Sequence, residues 1–250
     1  MTETIVARQV ASAPSATRRW SPARVAGTVV IGAWAGLFWF LWLSGRDAFY
    51  LSERTSWVVP VAAVILAAAT VGRLISARSP NPESIRRREL AIMAAMVLPV
   101  LLVTVLPPAT LGTFSAGKRA GYAGAGPAAS AADIASGELT LVDVAAAQTT
   151  PEGERALAAR AGEGVEFVGF VARYPDTPPD ELMLTRYVVS CCVADATVAA
   201  VRVVNVTPGA FADNEWIEVT GTIYPIGREV IVNAASISAV ERPDRPYLTA

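Results

Sequence analysis

The residues best suited to chemistry lie together in Arg186-Tyr187-Val188-Val189-Ser190-Cys191-Cys192-Val193-Ala194-Asp195-Ala196, which holds the only two cysteines of the chain, side by side. A thiolate with carboxylates is a thinner ligand set than the usual zinc sites have, and a vicinal pair of thiols offers redox chemistry. Three readings stand side by side. Cys191 is a small core hydrophobe with Cys192 under a loop; the vicinal pair is a redox or thiol-relay element; or Cys192, with Cys191, Asp195 and nearby acids, forms a metal or ligand site. Adjacent residues on a strand point to opposite faces. On that alternation Cys191 joins the apolar face of Met183, Thr185, Tyr187, Val189 and Val193 and enters the core, while Cys192 faces elsewhere. Regular strand geometry also forbids a disulfide between neighbours. Asp195 suits a turn residue bonding its own backbone better than a ligand.

Little else in the chain offers catalysis. It has no histidine, the commonest general base and metal ligand near neutral pH. No Ser/His/Asp set, phosphate-cradling glycine loop or pair of carboxylates at useful spacing is present, so an enzyme is not expected, nor a cofactor. Net charge is -1, unlike the basic surface of a nucleic-acid binder.

The elements that position the cysteines begin in the membrane. The chain is 53% hydrophobic and 17% charged, against roughly 25% charged in soluble domains, and the excess apolar residues concentrate over 25–111. Residues 1–24 carry Arg8, Arg18, Arg19 and Arg24 without an apolar period and read as a cytoplasmic tail. Three runs follow, 25–44, 57–75 and 90–111, each near the ~20 residues that cross a bilayer core. The first is longer than a signal-peptide core and ends in Trp and Phe rather than at a small-residue cleavage site, so it is read as an uncleaved span. Pro60 sits in the first turn of the second run; Pro99 should kink the third and Pro107-Pro108 should end it. The spacing Gly32-x-x-x-Gly36 permits close helix packing, within the chain or against another subunit. No ionisable residue lies in the middle of a span, so the chain is not expected to conduct or transport by itself.

Arginine sets the orientation. The tail and the loop from Ala77 to Glu89, with Arg78, Arg86, Arg87 and Arg88, are basic, whereas Arg46 and Arg54 in the first connection are offset by Asp47 and Glu53. The tail is therefore cytoplasmic, and the first connection and everything after the third span are extracytoplasmic.

Residues 112–137 have the Ala/Gly/Ser composition of a linker. The remainder, 138–250, reads as two short helices and then five strands: 165–173, 182–193, 197–206, 216–224 and 229–240. Five strands in about 80 residues, several apolar on both faces, suit a small closed barrel of the OB type, with an SH3-like barrel or small sandwich as alternatives. Gly169 and Gly221 mark points where a strand coils or bulges. The expected fold is thus membrane-anchored α plus all-β: three N-terminal transmembrane helices, then an OB-like five-stranded β-barrel.

These features together, with the strings Thr185 to Ala196 and Trp216-Ile217-Glu218-Val219-Thr220-Gly221-Thr222, resemble the YcgQ-type bacterial membrane proteins, over nearly the whole chain. Val193 stands where that family often has alanine, and many members have two spans rather than three. The family has no established activity. The resemblance implies an accessory subunit in the cell membrane accompanying an integral membrane permease, with the barrel docking to or gating that partner, and a link to metal-ion handling for such pairs. The second functional reading is a module that captures a metal or small ligand and passes it to the permease.

Overall fold

A computed structural model describes residues 19–79, 81–108, 110–119, 121, 134–135, 137–227 and 229–249. Residues 1–18 of the expected tail (1–24) and the central part of the expected linker, 122–133, lie outside the described residues. The chain forms two units: one contains the residues up to Phe38 together with Ala62–Val105, the other Trp39–Val61 together with Leu106–Ala250.

Three helices are long and apolar enough to cross a membrane, which makes this a multi-pass membrane protein by length and composition. They are α1 (Pro22–Leu43), α2 (Val58–Ser76) and α3 (Arg87–Val105). Helix α3 stops short of Pro107-Pro108, as missing N–H donors require, and carries Pro99 in its interior. In the first unit, the two-residue strands β1 (Arg19–Trp20) and β2 (Arg78–Ser79) pair across the helix ends. Arg24 donates to the Ser76 carbonyl at 3.0 Å, and Trp34 Nε1 to the Met96 carbonyl at 3.2 Å. Gly32 lies against Thr70, while Gly36 faces no atom within 4 Å of where its Cβ would stand. Only half of the G-x-x-x-G spacing therefore serves packing among the described helices. Their outer faces stay apolar and exposed, as with Val64, Ile65, Leu98 and Leu101.

The second unit contains the barrel. A helical turn α4 (Thr113–Ala116) precedes α5 (Leu141–Ala147) and α6 (Pro151–Ala158). Thr140 caps α5 by accepting from the Asp143 N–H, and Pro151 starts α6, so both short helices begin where their sequences allow. Strands β3 (Gly164–Ala172), β4 (Leu182–Val189), β5 (Thr197–Val204), β6 (Trp216–Ile226) and β7 (Glu229–Ala239) follow, with a short β8 (Leu248–Thr249). Their order is β3-β6-β7-β5-β4, closed by β3–β4. All neighbours are antiparallel except β5 with β7. This is the closed mixed five-stranded barrel expected, with OB-like connectivity. Ala199, Val201 and Val203 of β5 and Ile217, Val219 and Ile223 of β6 alternate inward. Leu141, Val144 and Leu157 of the leading helices complete that core.

Gly221 marks a register shift between β6 and β7, as its place in the strand foretold. A Cβ there would meet the Asn233 carbonyl and stand 3.0 Å from Ala234 Cα, so only glycine lets the two backbones approach.

Strand β4 is buried on both faces. Leu182, Leu184 and Val188 point into the barrel, while Tyr187 and Val189 join Phe170, Ala196, Ala116 and Tyr247 in a second cluster outside it. That outer cluster is covered by the segment from Leu111 to Thr113. Tyr187 Oη donates to the Gly112 carbonyl at 2.7 Å, Tyr247 Oη accepts from Leu111 N–H at 3.2 Å, and Thr113 Oγ1 donates to the Val171 carbonyl at 3.1 Å. The start of the expected linker, Gly112 to Arg119, is therefore packed chain. Its composition concealed this because the partners lie far along the sequence.

Candidate functional site

Strand β4 ends at Val189 and not at Val193 as the apolar run suggested. The alternation that places Cys191 in the core therefore fails: Cys191 is exposed and Cys192 half-buried, and both are free thiols. The physical cause is Asp195. Its Oδ1 accepts the Ser190 N–H at 3.0 Å, and its Oδ2 accepts those of Cys191 at 2.8 Å and Cys192 at 3.4 Å. A carboxylate that takes three successive N–H groups competes with any strand ladder for them and bends the chain into a turn. Asp195 itself lies in a short 3-10 turn, Val193–Asp195, that begins at Cys192. The turn role expected for Asp195 is what the geometry shows, and it is what brings both cysteines to the surface.

The same fold brings the three candidate ligands together. Cys191 Sγ and Cys192 Sγ are 3.6 Å apart, and one donor atom from each of Cys191, Cys192 and Asp195 lies within 4.8 Å of the others. The Cys191 thiol is pushed up to about 12, first by its hydrogen bond with Asp195, then by that with Cys192 and by lost hydration. Partial burial opposes ionisation of Asp195, yet the Cys191 thiol and the three backbone N–H groups outweigh it and hold the carboxyl below its ordinary value.

The turn is fastened from outside the barrel by residues that the sequence did not connect with the cysteines. In the connection between α1 and α2, single 3-10 turns at Arg46–Phe49 and Glu53–Thr55 replace an open loop. Ser52 is buried; its N–H donates to the Cys191 carbonyl at 3.1 Å and its Oγ to the Ser190 carbonyl at 2.9 Å. Thr55 Oγ1 donates to the Cys191 carbonyl at 2.6 Å, and Val193 N–H returns a bond to the Tyr50 carbonyl at 2.9 Å. Leu51 and Cys192 form an antiparallel bridge. From the other side the Arg119 guanidinium donates to the carbonyls of Ala194 at 3.4 Å and Ala196 at 2.8 Å. Hydroxyls at 52 and 55 were visible in the sequence, but their partners are carbonyls, which carry no residue-specific signal.

Arg186, within the distinctive string, does not face the cysteines. Its guanidinium donates to the carbonyls of Arg245 at 2.8 Å and Pro246 at 3.1 Å and stacks over Trp216. It thereby holds the segment leading into β8, which pairs in parallel with the end of β4. Burial lowers its pKa. The shallow cleft lined by Tyr174, Asp176, Thr177, Glu181, Met183 and Arg202 is likewise internally satisfied, since Arg202 bonds both Glu181 and Glu229.

Among curated proteins no relative matches the chain. Residues 134–249, which span the leading helices and the whole barrel with its cysteine turn, match the family model of the DUF1980 C-terminal domain, a family of unknown function.

Proposed function

We propose that this protein is an accessory, non-catalytic subunit of a membrane permease, with an extracytoplasmic barrel held at the membrane surface to dock on or gate its partner. The observation that carries this reading is the bonding of the Ser190–Val193 turn to Tyr50, Ser52 and Thr55. Those three residues belong to the connection between α1 and α2, so the barrel and that connection share one side of the bilayer. With three spans and an arginine-rich tail and second loop, that common side is the extracytoplasmic one. Span interiors without ionisable residues leave any substrate path to the partner. The resemblance to YcgQ-type proteins supports the same partner, and the match to the DUF1980 C-terminal domain is in keeping with it.

Two experiments test the reading. Co-purification in mild detergent from cells that also express the permease should recover both chains; a lone chain would count against it. A membrane-impermeant maleimide added to intact cells should label the cysteine turn, slowly at Cys191 because its thiol resists ionisation, and labelling only after lysis would reverse the topology.

A second reading is favoured by one observation, the convergence of Cys191, Cys192 and Asp195. In it the barrel captures a metal or small ligand outside the cell and passes it to the permease.

A further inference from the structure

The spacing of the two sulfurs distinguishes between the chemistries open to them. A zinc-class cation binds thiolate sulfur at about 2.3 Å, so two thiolates on one tetrahedral cation stand about 3.8 Å apart. Cys191 Sγ and Cys192 Sγ are 3.6 Å apart, close to that requirement without any movement of the turn. A disulfide instead needs about 2.05 Å, which demands a rebuilt turn. The third donor is near, with an Asp195 carboxylate oxygen within 4.8 Å of both sulfurs. Asp195 Oδ2 already accepts the Cys191 and Cys192 N–H groups, which fill its two acceptor sites, but Oδ1 accepts only the Ser190 N–H and keeps one site with which to ligate.

Preorganisation is the second argument. All three donors lie within five residues, and the peptide groups that carry them are bonded on both sides. Ser52 and Thr55 hold the carbonyls of Ser190 and Cys191, Tyr50 accepts the Val193 N–H, and Arg119 holds the carbonyls of Ala194 and Ala196. Groups that orient the ligands of a site in this way typically change its affinity about 10–100-fold. Access is the third argument. Cys191 is exposed and Cys192 half-buried, so a cation reaches the donors from solvent. Three protein donors leave at least one coordination position to water or to another molecule, unlike the closed four-ligand sites that serve structure alone.

We propose that Cys191, Cys192 and Asp195 form a three-ligand exchange site for a thiophilic divalent cation of the zinc class. Loading replaces two S–H protons, which leave to solvent, with two metal–sulfur bonds, and involves no change of oxidation state. Because the carbonyls of Ser190 and Cys191 are bonded to the connection between the first two spans, loading bears directly on Ser52 and Thr55. The proposal deepens the capture reading by naming the cargo class and the atoms that hold it. Delivery to a permease is a separate matter.

The test uses the full chain, reduced and purified in detergent, titrated with cadmium chloride and with zinc chloride. Cadmium is followed by its thiolate charge-transfer absorption, and zinc by competition with a chromophoric chelator. The expected result is one equivalent per chain, protection of both thiols from alkylation, and at least about tenfold weaker binding in Cys191→Ser and in Cys192→Ser taken separately. Asp195→Asn should weaken binding to a similar extent, with Asp195→Glu restoring part of it. Melting of each variant by circular dichroism identifies any that fail to fold; if Asp195→Asn does so, the two serine variants and the stoichiometry decide. Binding that is unchanged in either serine variant, that needs two chains per cation, or that is no tighter than in the double serine variant overturns the proposal. A chain that loads one cation yet never co-purifies with a permease would keep this site and lose the accessory reading.

Discussion

Thr55 Oγ1 donates to the carbonyl of Cys191 at 2.6 Å across 136 residues of sequence. The bond ties the connection between two membrane helices to the peptide that carries the more exposed thiol. With Ser52 and Tyr50 it makes the cysteine turn a shared product of that connection and the barrel, not a loop of the barrel alone.

Ser52→Ala should loosen that tie without dissolving it. The change deletes the hydroxyl bond to the Ser190 carbonyl, worth about 1 kcal/mol, and leaves the Ser52 N–H on Cys191. Hydrogen exchange should quicken at Cys191 to Val193 while the barrel strands keep their protection. Uniform loss of protection would show that Ser52 supports the whole fold instead.

The alkylation of Cys191 should have an unusual pH profile. Its thiol is pushed up to about 12 with the Asp195 hydrogen bond as the first cause. In Cys192→Ser that first cause remains, so the iodoacetamide rate should keep climbing above pH 9 instead of levelling there. Adding Asp195→Asn should bring the profile back towards an ordinary thiol. The sign follows from linkage: a raised thiol pKa favours the folded turn below the unfolded value, and the benefit is lost as pH rises through the folded value.

Acid should act on the turn in the opposite sense. Asp195 is held below its ordinary value, so its contribution is present above the ordinary carboxylate range and is lost as pH falls through the lowered value. Exchange of the Ser190, Cys191 and Cys192 amides, followed downward in pH, should stay protected through the range where a free aspartate titrates. Early loss of protection would mean that the carboxylate does not organise the turn.

Gly221→Ala should destabilise the barrel by roughly 1–3 kcal/mol, because its Cβ would stand 3.0 Å from Ala234 Cα at the β6–β7 register shift. A lower thermal midpoint with cysteine alkylation unchanged is expected. An unaltered midpoint would show that the strands separate there at little cost.

Tyr187→Phe tests the packed start of the expected linker. It removes the 2.7 Å bond to the Gly112 carbonyl, a loss of about 1 kcal/mol, and keeps the ring in the outer cluster. Limited proteolysis should cut faster near Lys118 and Arg119, while cleavage within the barrel strands stays slow.

By itself the sequence determined those features that depend on periodicity and on local backbone chemistry. Three apolar runs of bilayer length became α1, α2 and α3, Pro107-Pro108 lies beyond the end of the last, and five strands closed into the barrel, with Gly221 at the bulge. Each follows from interactions within an element or between a residue and its own backbone. Only the tertiary structure decided what happens at Cys191. Val193 and the apolar run argued for a longer strand, but strand alternation holds only while a ladder continues. The ladder ends at Val189 because a neighbouring strand must compete with the Asp195 carboxylate for three successive N–H groups. The outward turn is then fixed by Ser52, Thr55 and Arg119 through backbone carbonyls. Every residue presents a carbonyl, so no side-chain pattern could announce those partners, and the exposure of Cys191 became legible only once the chain had folded.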